Sequence, residues 1–332
     1  MADKLQSTPK SSDPTRTYHY GGQAVIEGVM MRGPKDFAVA VRRASGEIVT
    51  TCESIDSTLG RFKWLDKPFL RGTLALIDAL VLGIRALRYS AEIAMQDASA
   101  ADAQNLRAES ASSDDRPEPS KVSDIAVGAT MVLGLVVGLA LFMLVPIVIV
   151  KPLKASYGLV GWQAAVSEGL VKIAIFVIYV AAISLLKDIR RVFQYHGAEH
   201  KTINAYEANE ELTIENVQRY SKVHVRCGTS FILVVLLTSI VVFMFISWKS
   251  ILLRFVYKLL LLPVVAGIAY EVIRFAGKHK NCWLSGLLVF PGLVMQKITT
   301  REPEPEMVEV AIKSLQCVLD AEAEAKGEQT TV

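Results

Sequence analysis

The residues of this chain best suited to metal chemistry lie between Tyr195 and Lys201. His196 and His200 are four residues apart, so on a helix their imidazoles share one face and can bind one ion. Glu199 stands next to His200 in the H-x-x-E-H order found in one class of zinc peptidases. The spacing predicts a metal site, with Glu199 as the general base if the metal activates water.

A second pair of candidate ligands follows, His224 and Cys227. Neutral imidazoles and a thiolate suit zinc, and these two side chains with the first pair would fill a tetrahedral site. A closed site of this kind is structural, whereas three protein ligands and one water are typical of catalysis, and the sequence leaves both open. It also leaves open that Cys227 is a small buried residue and that His224 anchors the chain at an interface. Gly197 mildly disfavours the helix that the first pair needs.

The composition favours a membrane protein with reduced thiols. The chain has 332 residues, 52% of them hydrophobic, and a mean hydropathy of +0.35. Its net charge of +3 argues against nucleic acid as a partner. The four cysteines are far apart and form no C-x-x-C pair, so no disulfide framework is expected. No cleavable signal peptide is expected either, because residues 1–17 lack its apolar segment.

Apolar runs of the length that crosses a ~30 Å hydrocarbon core predict about four transmembrane helices. The predicted spans are 124–150, 166–186, 227–248 and 251–275. Leu284–Met295 is too short to cross and is predicted to be a re-entrant or interfacial segment that ends at Pro291-Gly292.

The rest of the chain divides into segments of different amino-acid composition. Residues 1–17 are predicted to be a disordered tail, and 18–60 a small β-rich cytoplasmic unit with a hairpin turn at 44–47. Residues 61–98 form an interfacial or docked helix and 99–123 a linker. The remaining divisions are 124–186 (two spans), 187–227 (a loop with the metal site), 228–298 (two spans and the re-entrant segment) and 299–325 (a C-terminal cytoplasmic helix). The expected fold is thus mainly α: a polytopic helical membrane protein with a small N-terminal β-rich unit and a C-terminal amphipathic helix.

Lysine and arginine in the loops predict the orientation. The loop 187–227 is the richest in these residues, which places it in the cytoplasm and, with four spans, both termini as well. The expected location is therefore the inner (cytoplasmic) membrane. Three positive charges in the hairpin 249–258 run against this orientation.

Glu271 is a further candidate, because it lies in an apolar run near the cytoplasmic end of the fourth span. An ionisable residue there is a functional hypothesis by default, here as a ligand or proton carrier beside the histidines. The alternative is an internal pair with Arg274. Glu168 and Lys172 lie near the outer end of the second span.

Four separated motifs resemble the YqhQ-like family of bacterial membrane proteins. They are Gly21–Pro34, Tyr195–Asn204, Arg226–Phe231 and Thr299–Pro303, and the match runs over nearly the whole chain. The resemblance implies a predicted metal-dependent membrane enzyme with no established substrate. It implies a metal site formed by the following residues: His196, Glu199, His200, His224 and Cys227.

Two functions of different class follow. The first is a membrane metallohydrolase, for example a peptidase, which acts at the cytoplasmic face on a membrane-associated substrate. The second is a non-enzymatic scaffold in which a structural metal clamps the loop 187–227 and other parts bind an unknown protein partner. A transporter that uses Glu271 and Glu168 has less support, because few ionisable residues lie inside the spans. The lipid bilayer is the one partner common to all three, and a homo-oligomer is left open.

Overall fold

The computed structural model is mainly helical, with one small antiparallel sheet near its N-terminal end. It describes residues 20–55, 67, 70–109, 132–134, 136–245, 251–278, 283–325 and 327. The predicted tail 1–17 and residues 110–123 of the predicted linker lie outside this part of the chain.

Within the described residues, the strands are β1 (Gly21–Val25), β2 (Gly28–Arg32), β3 (Asp36–Arg42) and β4 (Ile48–Ser54). The helices are α1 (Leu70–Glu109), α2 (Val132–Tyr157), α3 (Trp162–Ile183), α4 (Lys187–Glu207), α5 (Ile214–Gln218), α6 (Gly228–Phe243), α7 (Ile251–Lys278), α8 (Trp283–Thr299) and α9 (Pro305–Ala325). Helix α2 contains a π-helical turn at Ala140–Leu144.

The sheet confirms the predicted β-rich unit. Its strands follow one another in the order β1-β2-β3-β4, each antiparallel to the next. Tight turns at Ile26-Glu27 and around Gly46 connect the first two strands and the last two. Both turns use a positive φ, 50° at Glu27 and 89° at Gly46, as short hairpin loops require.

Both faces of the sheet are covered by helices. Alternate residues of β2 and β3, such as Val29 and Ala40, face α4 and α9 and meet Tyr195 and Leu315 in one apolar core. The intervening residues, such as Met30 and Val39, face α1 and form a second core with Leu82, Ala86 and Ile93. The period of two in a strand therefore places the sheet as the middle of three layers.

Among the residues that the structure describes, three helices are long and apolar enough to cross a membrane: α2, α3 and residues Phe255–Ala276 of α7. The predicted third span at 227–248 differs, because α6 has 16 residues. At 1.5 Å per residue it is about 24 Å long, less than the ~30 Å hydrocarbon core.

The break predicted at Pro291-Gly292 is wrong, because α8 continues through both residues to Thr299. Gly292 lies against α6, where an added Cβ would be 2.5 Å from Cβ of Ser230. Gly292 allows the two helices to pack closely and does not end α8.

Helix α1 is longer than predicted. It continues beyond residue 98 to Glu109, so the first part of the predicted linker is helical. Alanines favour this extension. Just before it, Asp97 attaches α1 to the β3–β4 turn by accepting hydrogen bonds from Nε of Arg43 (2.9 Å) and the amide of Ala44 (2.7 Å).

Candidate metal centre

Helix α4 carries the first two candidate ligands. Its N-terminal part is attached to the β1–β2 turn, since Arg191 donates two hydrogen bonds of 2.5 Å to the carboxylate of Glu27. The segment that follows is helical throughout, as the spacing of His196 and His200 predicts. Gly197 does not break the helix, and a Cβ at this position would collide with the carbonyl oxygen of Arg301. Glycine is needed here because two backbone segments approach closely.

Three of the predicted ligands converge. One ligand atom each from His196, His200 and Cys227 lies within 4.8 Å of the others. The two imidazole rings are 4.4 Å apart between centroids, and Nε2 of His196 is 3.2 Å from Sγ of Cys227. His200 and Cys227 are buried, and His196 is half-buried. This group lies where α4, the loop before α6 and the end of α8 meet.

Each imidazole is oriented by a backbone carbonyl. Nδ1 of His196 lies 2.8 Å from the oxygen of Thr299, and Nδ1 of His200 lies 2.7 Å from the oxygen of Lys222. A carbonyl oxygen only accepts, so in both rings Nδ1 carries the proton and Nε2 presents a lone pair. In metal-bound histidines the ring nitrogen that does not bind the metal typically donates to a carbonyl or carboxylate in this way.

The Nε2 atoms of the two rings are both acceptors, and the centre has too few hydrogen-bond donors for them. Cys227 has at most one thiol proton, which cannot satisfy Nε2 of both rings. Nε2 of His200 is buried and has no hydrogen-bond partner among the described atoms. Burial also lowers the pKa of His200, which keeps the ring neutral and able to bind a metal. A divalent ion between the three side chains would satisfy all of them.

Cys227 presents its sulfur at the start of α6. It is the N-cap of α6, where the helix dipole favours negative charge. Its Sγ accepts a hydrogen bond from the amide of Thr229 at 3.4 Å and lies 3.1 Å from the Thr229 hydroxyl. A His₂Cys donor set of this kind fits zinc, with one coordination position left for a further ligand.

Glu199 lies against the sheet and is not one of the three converging ligands. It is buried against β1, where a Cβ on Gly22 would be 2.9 Å from Cγ of Glu199. Burial raises the pKa of Glu199 to about 7, against a smaller lowering by His196 and by the amide of Gly22. Its Oε2 has no hydrogen-bond partner within the described part of the structure. The structure thus places Glu199 beside the centre but not within the ligand group.

His224 also lies beside the centre, with its ring centroid 5.7 Å from that of His200. Its Nε2 is 3.8 Å from a carboxylate oxygen of Glu207, which also pairs with Arg226. Although burial raises the pKa of Glu207, the nearby imidazole of His224 and the guanidinium of Arg226 outweigh it and lower that pKa to about 2. His224 therefore is not part of the described three-ligand group.

Glu271 is not at the centre. Its carboxylate accepts hydrogen bonds of 2.7 and 2.6 Å from the guanidinium of Arg71 on α1. The structure places Glu271 at the α1–α7 contact through this bidentate pair, with Arg71 as the partner instead of the predicted Arg274, and not in the described three-ligand group.

Other residues that build the centre were not predicted. The side-chain amide of Gln296 on α8 accepts from the His224 amide (2.8 Å) and donates to its carbonyl (2.9 Å) and to Oγ of Ser230 (2.8 Å). Thr299 and Lys222 contribute backbone carbonyls, which any residue type would provide, so their side-chain chemistry does not mark them. The motif Thr299–Pro303 marked the first of these segments without indicating its role.

The comparisons with known proteins agree with these motifs. The family model described as a protein of unknown function (DUF1385) matches residues 67–321. The uncharacterized protein YqhQ of Bacillus subtilis (strain 168) is 36% identical over 312 residues, which cover 93% of this chain and 95% of that protein. No solved structure matches. The chain therefore belongs to the DUF1385 family, to which the four sequence motifs pointed.

Proposed function

We propose that this chain is an integral-membrane metalloprotein that binds one zinc ion through His196, His200 and Cys227 at the cytoplasmic face. The observation that carries the proposal is the pair of Nδ1–H groups held by the carbonyls of Thr299 and Lys222. Nε2 of each ring then carries a lone pair close to Cys227, and a metal satisfies both lone pairs whereas one thiol proton does not.

The elements that meet at this centre support a structural role for the metal, in which it holds two parts of the chain together. Helix α4 packs on the sheet and α9, whereas Cys227 begins α6 and Thr299 ends α8. A metal at this point would join the three-layered unit to the apolar helices. This makes it a clamp between the two parts of the molecule, whatever chemistry it also performs.

The membrane location rests on α2, α3 and α7, which have the length and composition of spanning helices. The positive charges of 187–227 support a cytoplasmic position for the metal centre. Both termini share that side only if α6, although short, also crosses the membrane, which makes four spans. A reporter that is active only in the cytoplasm should be active when inserted after residue 205. Activity of a reporter that works only in the periplasm or outside the cell would show the opposite orientation.

Metal analysis of the purified protein tests the zinc proposal. The wild type, prepared without chelator, should contain about one zinc per chain, and His200→Ala and Cys227→Ala should lose most of it. Cys52→Ala is the matched control, because Cys52 lies on β4 next to Cys317 and should not affect the metal content. A metal-free wild type, or equal zinc in all variants, contradicts the proposal.

A metallohydrolase is the second candidate, and the unpartnered Oε2 of Glu199 favours it. Three protein ligands leave a position for water, and a buried carboxylate nearby is the type of group that activates it. Glu199→Gln should keep the zinc and abolish hydrolysis of a membrane-associated substrate. If this variant complements a deletion strain as well as the wild type while His200→Ala does not, the zinc acts as a clamp alone.

A further inference from the structure

The exposed side of helix α1 changes in chemistry along its length. In the first part of the helix, the large exposed side chains are all apolar: Leu76, Ile77, Leu80, Val81 and Ile84. The first exposed charge follows at Arg85, and Arg88 and Glu92 form an exposed ion pair further along the helix. An apolar surface that ends at arginine is typical of a helix that leaves a bilayer, because arginine extends its charge to the membrane surface.

The two charged side chains within this apolar part face the protein. Arg71 donates two hydrogen bonds to Glu271 of α7, and Asp78 is only 5% exposed. A charge on the exposed side would be costly beside acyl chains, whereas a charge that faces neighbouring helices is tolerated in a bilayer. The first part of α1 therefore has the charge distribution of a helix in contact with lipid.

The beginning of α1 lies beside the middle of the apolar stretch of α7. Thr73 donates to the carbonyl of Pro263 at 3.0 Å, and a Cβ on Gly72 would be 3.1 Å from Cα of Gly267. Along the helix axis, both α7 residues are within about 4 Å of the centre of Phe255–Ala276. In a bilayer that α7 spans, these contacts place the beginning of α1 near the bilayer centre.

The other end of this part of α1 lies at the sheet. A Cβ on Gly83 would be 2.5 Å from the side-chain oxygen of Gln23 on β1, and the adjacent Gly22 lies against Glu199 beside the metal centre. From Gly72 to Gly83 the helix rises by about 16 Å, about half of the ~30 Å hydrocarbon core. Helix α1 thus leaves the bilayer on the side of the metal centre. The sheet, which precedes α1 in the chain, lies on the same side.

We infer that residues 70–87 of α1 form a re-entrant segment, which reaches the bilayer centre and presents its exposed apolar side to lipid acyl chains. Lipid is the occupant because this side adjoins α7, where Leu260 (65% exposed) and Val264 are exposed and apolar as well. The apolar surface also ends at Arg85, where the helix reaches the level of the membrane surface. A protein partner would require neither feature.

The inference rests on the membrane placement proposed above and is independent of the metal. Helix α1 is not one of the three described helices that can cross a membrane. A segment that returns to its own side adds no span, so the orientation of the other helices is unchanged.

Photocrosslinking on the full chain tests this segment. p-Benzoylphenylalanine replaces Leu80 or, in a separate variant, Ile77, and each protein is irradiated in liposomes of phosphatidylglycerol and phosphatidylcholine. Mass spectrometry should detect lipid adducts at both positions, with yields similar to that of the same replacement at Leu260 on α7. At Met95, which is 51% exposed beyond Arg85, the yield should be about tenfold lower or less, because this position lies outside the hydrocarbon core.

The reference at Leu260 separates this inference from the membrane placement. Lipid adducts at Leu260 but at neither α1 position overturn the re-entrant segment alone, whereas no adduct at any position contradicts the membrane placement as well. Crosslinks from Leu80 to a second copy of the chain in liposomes, or to another protein in intact cells, in place of lipid would show that protein covers this side, and would also overturn the inference. Equal yields at Met95 and Leu80 would contradict a boundary at Arg85.

Discussion

Gly197 shows how a single small residue sets the geometry of the metal centre. It lies between the two histidines of α4, and the carbonyl of Arg301 occupies the space that a side chain would need. The same 299–303 segment holds Nδ1 of His196 through the carbonyl of Thr299. Close approach at Gly197 and orientation of His196 are therefore two consequences of one backbone contact.

Gly197→Ala should destabilise the protein and weaken zinc binding. In an open helix this change would stabilise by about 0.5–1 kcal/mol, but overpacking against a backbone atom typically costs about 1–3 kcal/mol. The displaced segment would also move the Thr299 carbonyl from His196. We expect a lower unfolding temperature and, in a chelator competition, about a tenfold or greater loss of zinc affinity.

Gly228→Ala is the matched control for this prediction. Gly228 begins α6 next to Cys227, and an added Cβ there meets nothing within 4 Å. It should bind zinc like the wild type. Similar losses in both variants would show that the effect comes from helix propensity or from nonspecific damage, and would contradict the account of Gly197.

At this scale the sequence predicts residue types but not their partners. His196, His200 and Cys227 could be singled out because their side chains are rare and bind metals. The structure brings these three side chains together. His224 has the same chemistry but contacts Glu207, because the Gln296 clamp on its backbone fixes where its ring can lie. A backbone position of that kind depends on tertiary packing, which residue spacing does not record.

At the scale of elements, α8 organises the loop that carries His224 and Cys227. Gln296 closes three hydrogen bonds to this loop and to α6, and Gly292 lets the two helices approach. Pro291 was predicted to end the segment, yet its helix is continuous. Packing against α6 outweighs the local helix-breaking preference of proline and glycine, which is why local propensity failed here.

Gln296→Leu should release this loop. The substitution keeps most of the volume but leaves the buried amide and carbonyl of His224 without partners, at about 1–3 kcal/mol each. Zinc affinity should fall about 10- to 100-fold, and Cys227 should react faster with a thiol reagent. Lys297→Gln, an exposed neighbour on the same helix, is the control. Wild-type zinc affinity in Gln296→Leu would show that α8 does not position the centre.

At the scale of the whole molecule, the three-layered unit and the apolar helices meet at separate points. The metal centre is one, and the contact of α1 with α7 is another. There Thr73 donates to the carbonyl of Pro263 at 3.0 Å, and Gly72 lies against Tyr270. The mainly helical class and the small sheet were predictable from apolar periodicity. Which helix covers which face of the sheet was not, because β2 is apolar on both faces.

The Arg71–Glu271 ion pair joins α1 to α7 at this second contact. Reversal of its charges tests how much the pair contributes to stability. Its two hydrogen bonds join side chains that are 20% and 24% exposed, so the pair is screened less than a surface pair. Arg71→Glu should lower the unfolding temperature, since it places two carboxylates together. Arg71→Glu combined with Glu271→Arg should recover part of the loss, and the recovery measures the coupling.

The control comes from the same helix. Arg88 and Glu92 form an exposed pair one turn apart on α1, with side chains that are 80% and 48% exposed. Arg88→Glu should change the unfolding temperature little, because exposed pairs of this spacing contribute about 0.3–0.5 kcal/mol. If the double reversal at Arg71 and Glu271 recovers nothing, the charges do not hold α1 on α7. The attachment would then rest on the close packing at Gly72, and Gly72→Ala would have the larger effect, since its Cβ would lie 2.6 Å from Cβ of Tyr270.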